Sequence, residues 1–207
     1  SFSNASNGTD NIVLSDVSPL VTGLVSQTND FCFDFNGSNQ IHLGNANFAN
    51  FSNEITISFW SYGNENVLPQ NTSVLYATNA LNQRQANVHL PWSNASVYWD
   101  CGSGGPFDRI DKPATNPEFE GQWNHWAFTK NVTTGAMKIY INGTLWMSGT
   151  SKTKPMALLN LILGKNYALN ENYKGKVNEL SIWNKELAIT EIQNYMNIAI
   201  PPTHPNY

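Results

Sequence analysis

The sequence predicts an all-β protein, an antiparallel β-sandwich with one short C-terminal helix. Three observations predict it: short runs in which apolar and polar residues alternate with period two, an Asn-Gly pair between two such runs, and helical spacing at one place near the C-terminus. The chain has 207 residues, of which 41% are hydrophobic and 12% aromatic, enough for one sizeable core, so a single domain is expected.

The first 29 residues form an N-terminal extension, in which Ile12, Val13, Leu14 and the apolar and β-branched residues from Val17 to Val25 carry strand character. Two readings stay open for it: an extra edge strand on the domain's own sheet, or a strand that docks on a neighbouring subunit's exposed edge and so builds a fibre. The domain proper spans 30–199, with strands expected at 31–35 (FCFDF), 55–59 (ITISF), 87–90 (NVHL), 97–100 (VYWD), 137–141 (MKIYI) and 159–163 (LNLIL). Asn142-Gly143 separates the fifth of these from the apolar run at 145–147 and predicts a two-residue type I′ hairpin, because both central residues of that turn need positive φ. Gly and Pro make loops of 102–106 and 116–121. Near the C-terminus Thr190 is placed to cap a helix, Gln193 to reach back, and Ile192, Tyr195 and Met196 share one face. Pro201, Pro202 and Pro205 make 200–207 a linker.

Composition narrows the partners. Only 13% of residues are charged, about half the usual share, and polarity rests instead on thirty asparagines. A net charge of -4, with no run of Lys or Arg, offers no footprint for nucleic acid or an anionic membrane surface. No stretch approaches the ~20 apolar residues of a membrane span, and the start lacks a charged-then-apolar signal region, so a processed or excised segment is expected. For Cys32 and Cys101 a mutual disulfide and two separate buried thiols are equal expectations.

Three later segments, WNHWAFTK at 123–130, MKIYINGTLW at 137–146 and GKVNELSIW at 175–183, resemble the laminin-G-like domains of the concanavalin A-like lectin/glucanase superfamily. The resemblance implies a concanavalin A-like jelly roll in an extracellular or cell-surface protein. It also implies a structural Ca2+ between an early turn and a late strand. The matching positions are Asn36, Asn39 and Gln40 in the turn and Asn178 in the strand, all amides where the family carries mainly carboxylates. An ion there would lean on backbone carbonyls and water.

Many relatives cleave glycans, and a retaining glycosidase needs two carboxyl groups about 5 Å apart. No strand carries alternating acids; Glu118 and Glu120 flank Phe119 in a loop. There is no G-x-S-x-G elbow, and His42, His89, His125 and His204 form no H-E-x-x-H pair, so the sequence reads as non-enzymatic, with His125 a core or edge residue. Glycan recognition fits better: Trp92, Tyr98, Asp100, Asp108 and Arg109 supply aromatic surface and polar groups for sugar hydroxyls. If Val97 and Trp99 point inward, Tyr98 and Asp100 share the opposite face. Sequons at Asn4, Asn7, Asn36, Asn50, Asn71, Asn94, Asn131 and Asn142 are glycosylation candidates in a secretory pathway. The expected partner is a glycan or cell-surface polysaccharide, with self-association into fibres as the second reading and a polysaccharide-cleaving enzyme, its acids brought together from separate strands, as a distant third.

Overall fold

A computed structural model describes residues 13–16, 31–43, 51–103, 106–166, 168 and 170–198. The 200–207 linker, most of the N-terminal extension and the sequons at Asn4, Asn7 and Asn50 lie outside these residues. Two antiparallel sheets make the predicted sandwich. One joins β1 (Val13–Asp16), β2 (Phe31–Asn36), β13 (Lys174–Trp183), β4 (Glu54–Gly63), β9 (Asn124–Asn131), β10 (Ala136–Ile141) and β11 (Thr144–Gly149), in that order. The other joins β3 (Ile41–Leu43), β12 (Asn160–Leu163), β5 (Leu75–Thr78), β6 (Arg84–His89), β7 (Ser96–Cys101) and β8 (Asp108–Pro113). The strand β1 pairs with β2 of the same chain.

Register shows how period two fills the core. Across the six-stranded sheet, Ile41, Leu163, Leu75, Val88, Trp99 and Ile110 stand in one row, and every one belongs to the buried core. Facing it, Ile57, Phe128 and Ile139 form a row of the seven-stranded sheet. Phe128 is the hub: its ring lies 5.9 Å from Phe59, 5.9 Å from Trp126 and 5.8 Å from Trp99. The buried indole N–H of Trp99 donates to the Thr129 carbonyl, 3.0 Å away in the opposite sheet. Its one polar atom therefore meets a partner in the core.

One inward position breaks the apolar pattern. Lys130 stands in the row of Ile55 and Met137, is fully buried, and donates from Nζ to Asp108 Oδ2 at 2.7 Å and to the Cys101 carbonyl at 2.8 Å. A buried ammonium needs such partners, and this need decides where Asp108 points. Cys32 on β2 and Cys101 on β7 sit in opposite sheets as separate buried thiols, so the disulfide reading is set aside. Burial pushes the Cys101 thiol up to about 12.

The outer face of the seven-stranded sheet has its own cover. Helix α2 (Ile189–Tyr195) joins Ile192 to Ala127, Tyr140, Trp183 and Leu187, and Tyr195 stacks on Trp183 at 4.7 Å. β4 and β9 are accordingly buried almost throughout, rather than on alternate residues. The helix begins earlier than Thr190 predicts: the N-cap is Ala188, whose backbone N–H donates to the Glu191 carboxylate, and Thr190 is inside the first turn. Asn142 and Gly143 adopt φ of 48° and 71°, as the hairpin requires. Replacing Trp99 with alanine is expected to cost ~3–5 kcal/mol in urea unfolding. Leu145→Ala, on exposed β11, is expected to stay within about 0.5 kcal/mol.

Candidate functional site on the six-stranded sheet

The row next to the core row points the other way. His42, Ile162, Tyr76, Asn87, Asp100 and Arg109 are register partners across all six strands and form an outward face. Val97 and Trp99 are wholly buried between the sheets, so Tyr98 and Asp100 do share that face.

Asp100 organises it. Its side chain is 0% exposed, although it lies on the outward face, because two arginines close over it. Arg109 grips it in fork fashion through Nε and Nη2, the latter at 2.7 Å, and Arg84 donates Nη1 at 2.8 Å. Burial alone would raise the Asp100 carboxyl, but hydrogen bonds and charge from Arg109, and then from His89, outweigh it and hold the group below the usual range. The guanidinium groups are in turn held by rings. Arg109 sits 4.7 Å over Tyr98 and 5.1 Å from Phe107, while Arg84 sits 4.8 Å from Phe107 and 5.4 Å from Tyr76. Arg109 Nη1 and Arg84 Nε and Nη2 are left without a hydrogen-bond partner among the described residues.

The upper rim is set by His89. Its Nδ1 faces the Thr72 carbonyl at 2.6 Å, an atom that can only accept, so Nδ1 carries the hydrogen, while Nε2 lies 3.2 Å from Asn87 Nδ2 and 3.6 Å from Asp100 Oδ2. Trp92 meets the His89 ring edge-on at 4.7 Å, and the Tyr98 hydroxyl accepts from Asn94 Nδ2 at 2.7 Å.

Of the five residues predicted to meet a sugar, four converge here: Trp92, Tyr98, Asp100 and Arg109. Asp100 is a buried brace, not an open acceptor. Asp108 does not join them; it turns inward to Lys130 and also accepts the Lys154 backbone N–H at 2.9 Å. Arg84, His89, Asn87 and Tyr76 are additions. Sequence alternation misses Arg84 because a register shift between Ala77 and Thr78 leaves Gln85 as the extra residue of β6, so counting back by twos from Asn87 ends on Gln85 instead.

The amide positions matched to Ca2+ do not form one site. Asn36 pairs with Lys174, and Asn178 lies four residues further along β13, about 13 Å at ~3.3 Å per residue. Asn36 Oδ1 already accepts from Ser38 N, Ser38 Oγ and Asn39 N, and Asn178 Oδ1 accepts from Glu179 N. Lys165 Nζ donates to the Ser38 carbonyl at 2.6 Å, and the Lys174 stem crosses Gly37, so cationic side chains already attend this turn. Gln40 Oε1 alone among the turn's amides is buried without a partner, far short of the about six oxygens Ca2+ takes.

Among the sequons, Asn36, Asn71 and Asn94 are exposed. Asn131 is buried, and Asn142, exposed at its turn, is nonetheless engaged at both ends of its amide: Oδ1 accepts from His125 N and Nδ2 donates to Asn124 Oδ1. Glu118 caps α1 (Asn116–Phe119) and accepts from the Trp146 indole at 2.7 Å. His125 is buried against Trp60, 5.4 Å away, and its Nδ1 has no partner.

With this geometry in place, comparison with known proteins assigns the family. A laminin-G-type model of the concanavalin A-like lectin/glucanases superfamily matches residues 35–193, well over half of the chain. The chain belongs to this superfamily. Among solved structures, domain 4 of AbnA, a GH43 extracellular arabinanase from Geobacillus stearothermophilus, in complex with arabinotriose, is 21% identical with a TM-score of 0.64; the match covers 89% of this chain and 81% of that one. The binding domain of botulinum neurotoxin DC in complex with SialylT is 16% identical with a TM-score of 0.63, covering 91% of this chain and 46% of that one. The receptor-binding domain of the botulinum neurotoxin C/D mosaic serotype is 18% identical with a TM-score of 0.64, covering 90% and 46%. The chain thus spans less than half of each toxin domain, and at these identities the likeness is one of fold. No curated protein sequence matches the chain.

Burial lowers the His125 pKa to about 4, whereas the unfolded chain titrates near the ordinary ~6.5. The unfolded state therefore binds more protons between these values, and the stability His125 contributes is lost as pH falls through that window. Melting temperatures across pH 4–7 are expected to fall with acidity in the wild type and to flatten in His125→Gln over that range.

Proposed function

We propose that this chain is a non-enzymatic glycan-binding module of an extracellular protein, and that the ligand lies on the outward face of the six-stranded sheet. One observation carries the reading: a buried carboxylate fixes two arginines that still hold unspent N–H donors. Fixed donors suit sugar hydroxyls, since little side-chain entropy is lost on binding. Trp92 and Tyr98 beside them add amphipathic aromatic surface. The relatives support it in kind, since the arabinanase domain was solved with arabinotriose and a toxin domain with SialylT.

The same clamp argues against hydrolysis. A glycosidase acid must hold a proton near neutral pH, and its partner carboxyl must stand free to attack or to activate water. Asp100 is held ionised and enclosed by Arg84 and Arg109. Among the described residues no helix is long and apolar enough to cross a membrane.

A glycan array spanning neutral and acidic oligosaccharides tests the reading. Arg109→Ala and Trp92→Ala are each expected to weaken the best ligand by roughly tenfold or more, about 1.4 kcal/mol. Unchanged binding in both variants, or release of cleaved product by the wild type, would overturn it.

A further inference from the structure

Away from the arginine face, the loop after β4 and the turn between α1 and β9 line an open recess formed by Glu65, Asn116, Pro117, Glu120, Gly121 and Gln122. Glu120 is only 7% exposed, and its Oε2 is buried with no hydrogen-bond partner. Glu65 comes close to the next residue: its Oε2 lies 3.1 Å from where a Cβ on Gly121 would stand, and Gly121 has a φ of 72°. No Lys or Arg lines the pocket, and among the described residues neither carboxylate joins an ion pair. Two carboxylates thus share a recess without a counter-charge.

The surrounding groups are oxygen-rich. Gln122 gives Nε2 to the Pro117 carbonyl at 2.8 Å, which leaves its Oε1 as an acceptor. Asn116, also in the lining, offers its side-chain Oδ1 as a further oxygen. Burial first, and the neighbouring Glu65 charge second, push the Glu120 carboxyl above its usual range. A donor set of carboxylates and amide oxygens, with no sulfur or imidazole, suits a hard cation.

We infer that Glu65 and Glu120 bind a divalent cation of the Ca2+ type, with Asn116 and Gln122 as supporting oxygens. The site is separate from the early turn at Asn36 and does not rest on the glycan reading. Cation binding would tie the loop after β4 to the start of β9, stabilising the folded form by mass action.

Trp123 follows Gln122 in the chain and serves as a sensitiser for terbium luminescence. Titration of the full chain with Tb3+ is expected to give saturable emission on Trp excitation, displaced by Ca2+, and Ca2+ is expected to raise the melting temperature by ~2–5 °C over chelator. Glu65→Gln, at an exposed position that leaves folding intact, is expected to weaken Tb3+ by roughly tenfold; Glu120→Gln is expected to abolish the emission. Emission unaffected by either substitution, or a melting temperature indifferent to Ca2+, would overturn the site. Glu120→Gln that stabilises a Ca2+-indifferent protein would show instead a buried acid held by a proton.

Discussion

The alternation of side chains along β7 is the constraint on which the rest turns. Within five residues it sends Val97 and Trp99 into the core, turns Tyr98 and Asp100 to the outer face, and places Cys101 where its carbonyl meets Lys130. Because the period is two, a slip of one residue would bury Tyr98 and expose Trp99. The hydrogen bond from the Trp99 indole to Thr129 fixes that register from the opposite sheet. The same strand therefore supplies an anchor to the core and a carboxylate to the site.

Two acids near each other in sequence reach opposite fates by this rule. Asp100 serves the outer face under Arg84 and Arg109; Asp108, pairing with Cys101 on the neighbouring strand, turns inward and neutralises Lys130. Asp100 is buried and Asp108 half-buried, and for each the hydrogen bonds and charges of basic partners outweigh desolvation and keep the carboxyl below its usual range. Breaking either pair by removing one member would leave an uncompensated buried charge, a change that typically costs more than the pair itself contributes. The outer face is consequently rigid where it matters, its arginines braced from below by a carboxylate and from the sides by Tyr76, Tyr98 and Phe107.

Much of this was legible in the residues. Strands with a clean period of two, such as 31–35, 55–59 and 97–100, lie within β2, β4 and β7, and Asn142-Gly143 marks its turn because few residues accept positive φ there. The sharing of one face by Tyr98 and Asp100 also followed from alternation. What was hidden has identifiable causes. Arg84 is displaced by the extra residue Gln85 in β6. Asp108 looked like a polar partner for sugar because nothing in the sequence says that Lys130, on a distant strand, is buried. The early turn looked like an ion site until its amides proved to be spent on their own backbone. Glu120, in a loop set aside as non-catalytic, gains interest only when tertiary packing brings Glu65 to it.

The family's fold supports many functions, so function here rests on the site rather than on the architecture. The central claim is that glycan sits on the outward face of the six-stranded sheet. Backbone amide chemical shifts, followed by NMR while the best array ligand is titrated in, test it most directly. The account predicts that the shifted resonances cluster on β6, β7 and β8 and on the hairpin carrying Trp92. A cluster on the seven-stranded sheet, or around α2, would contradict it.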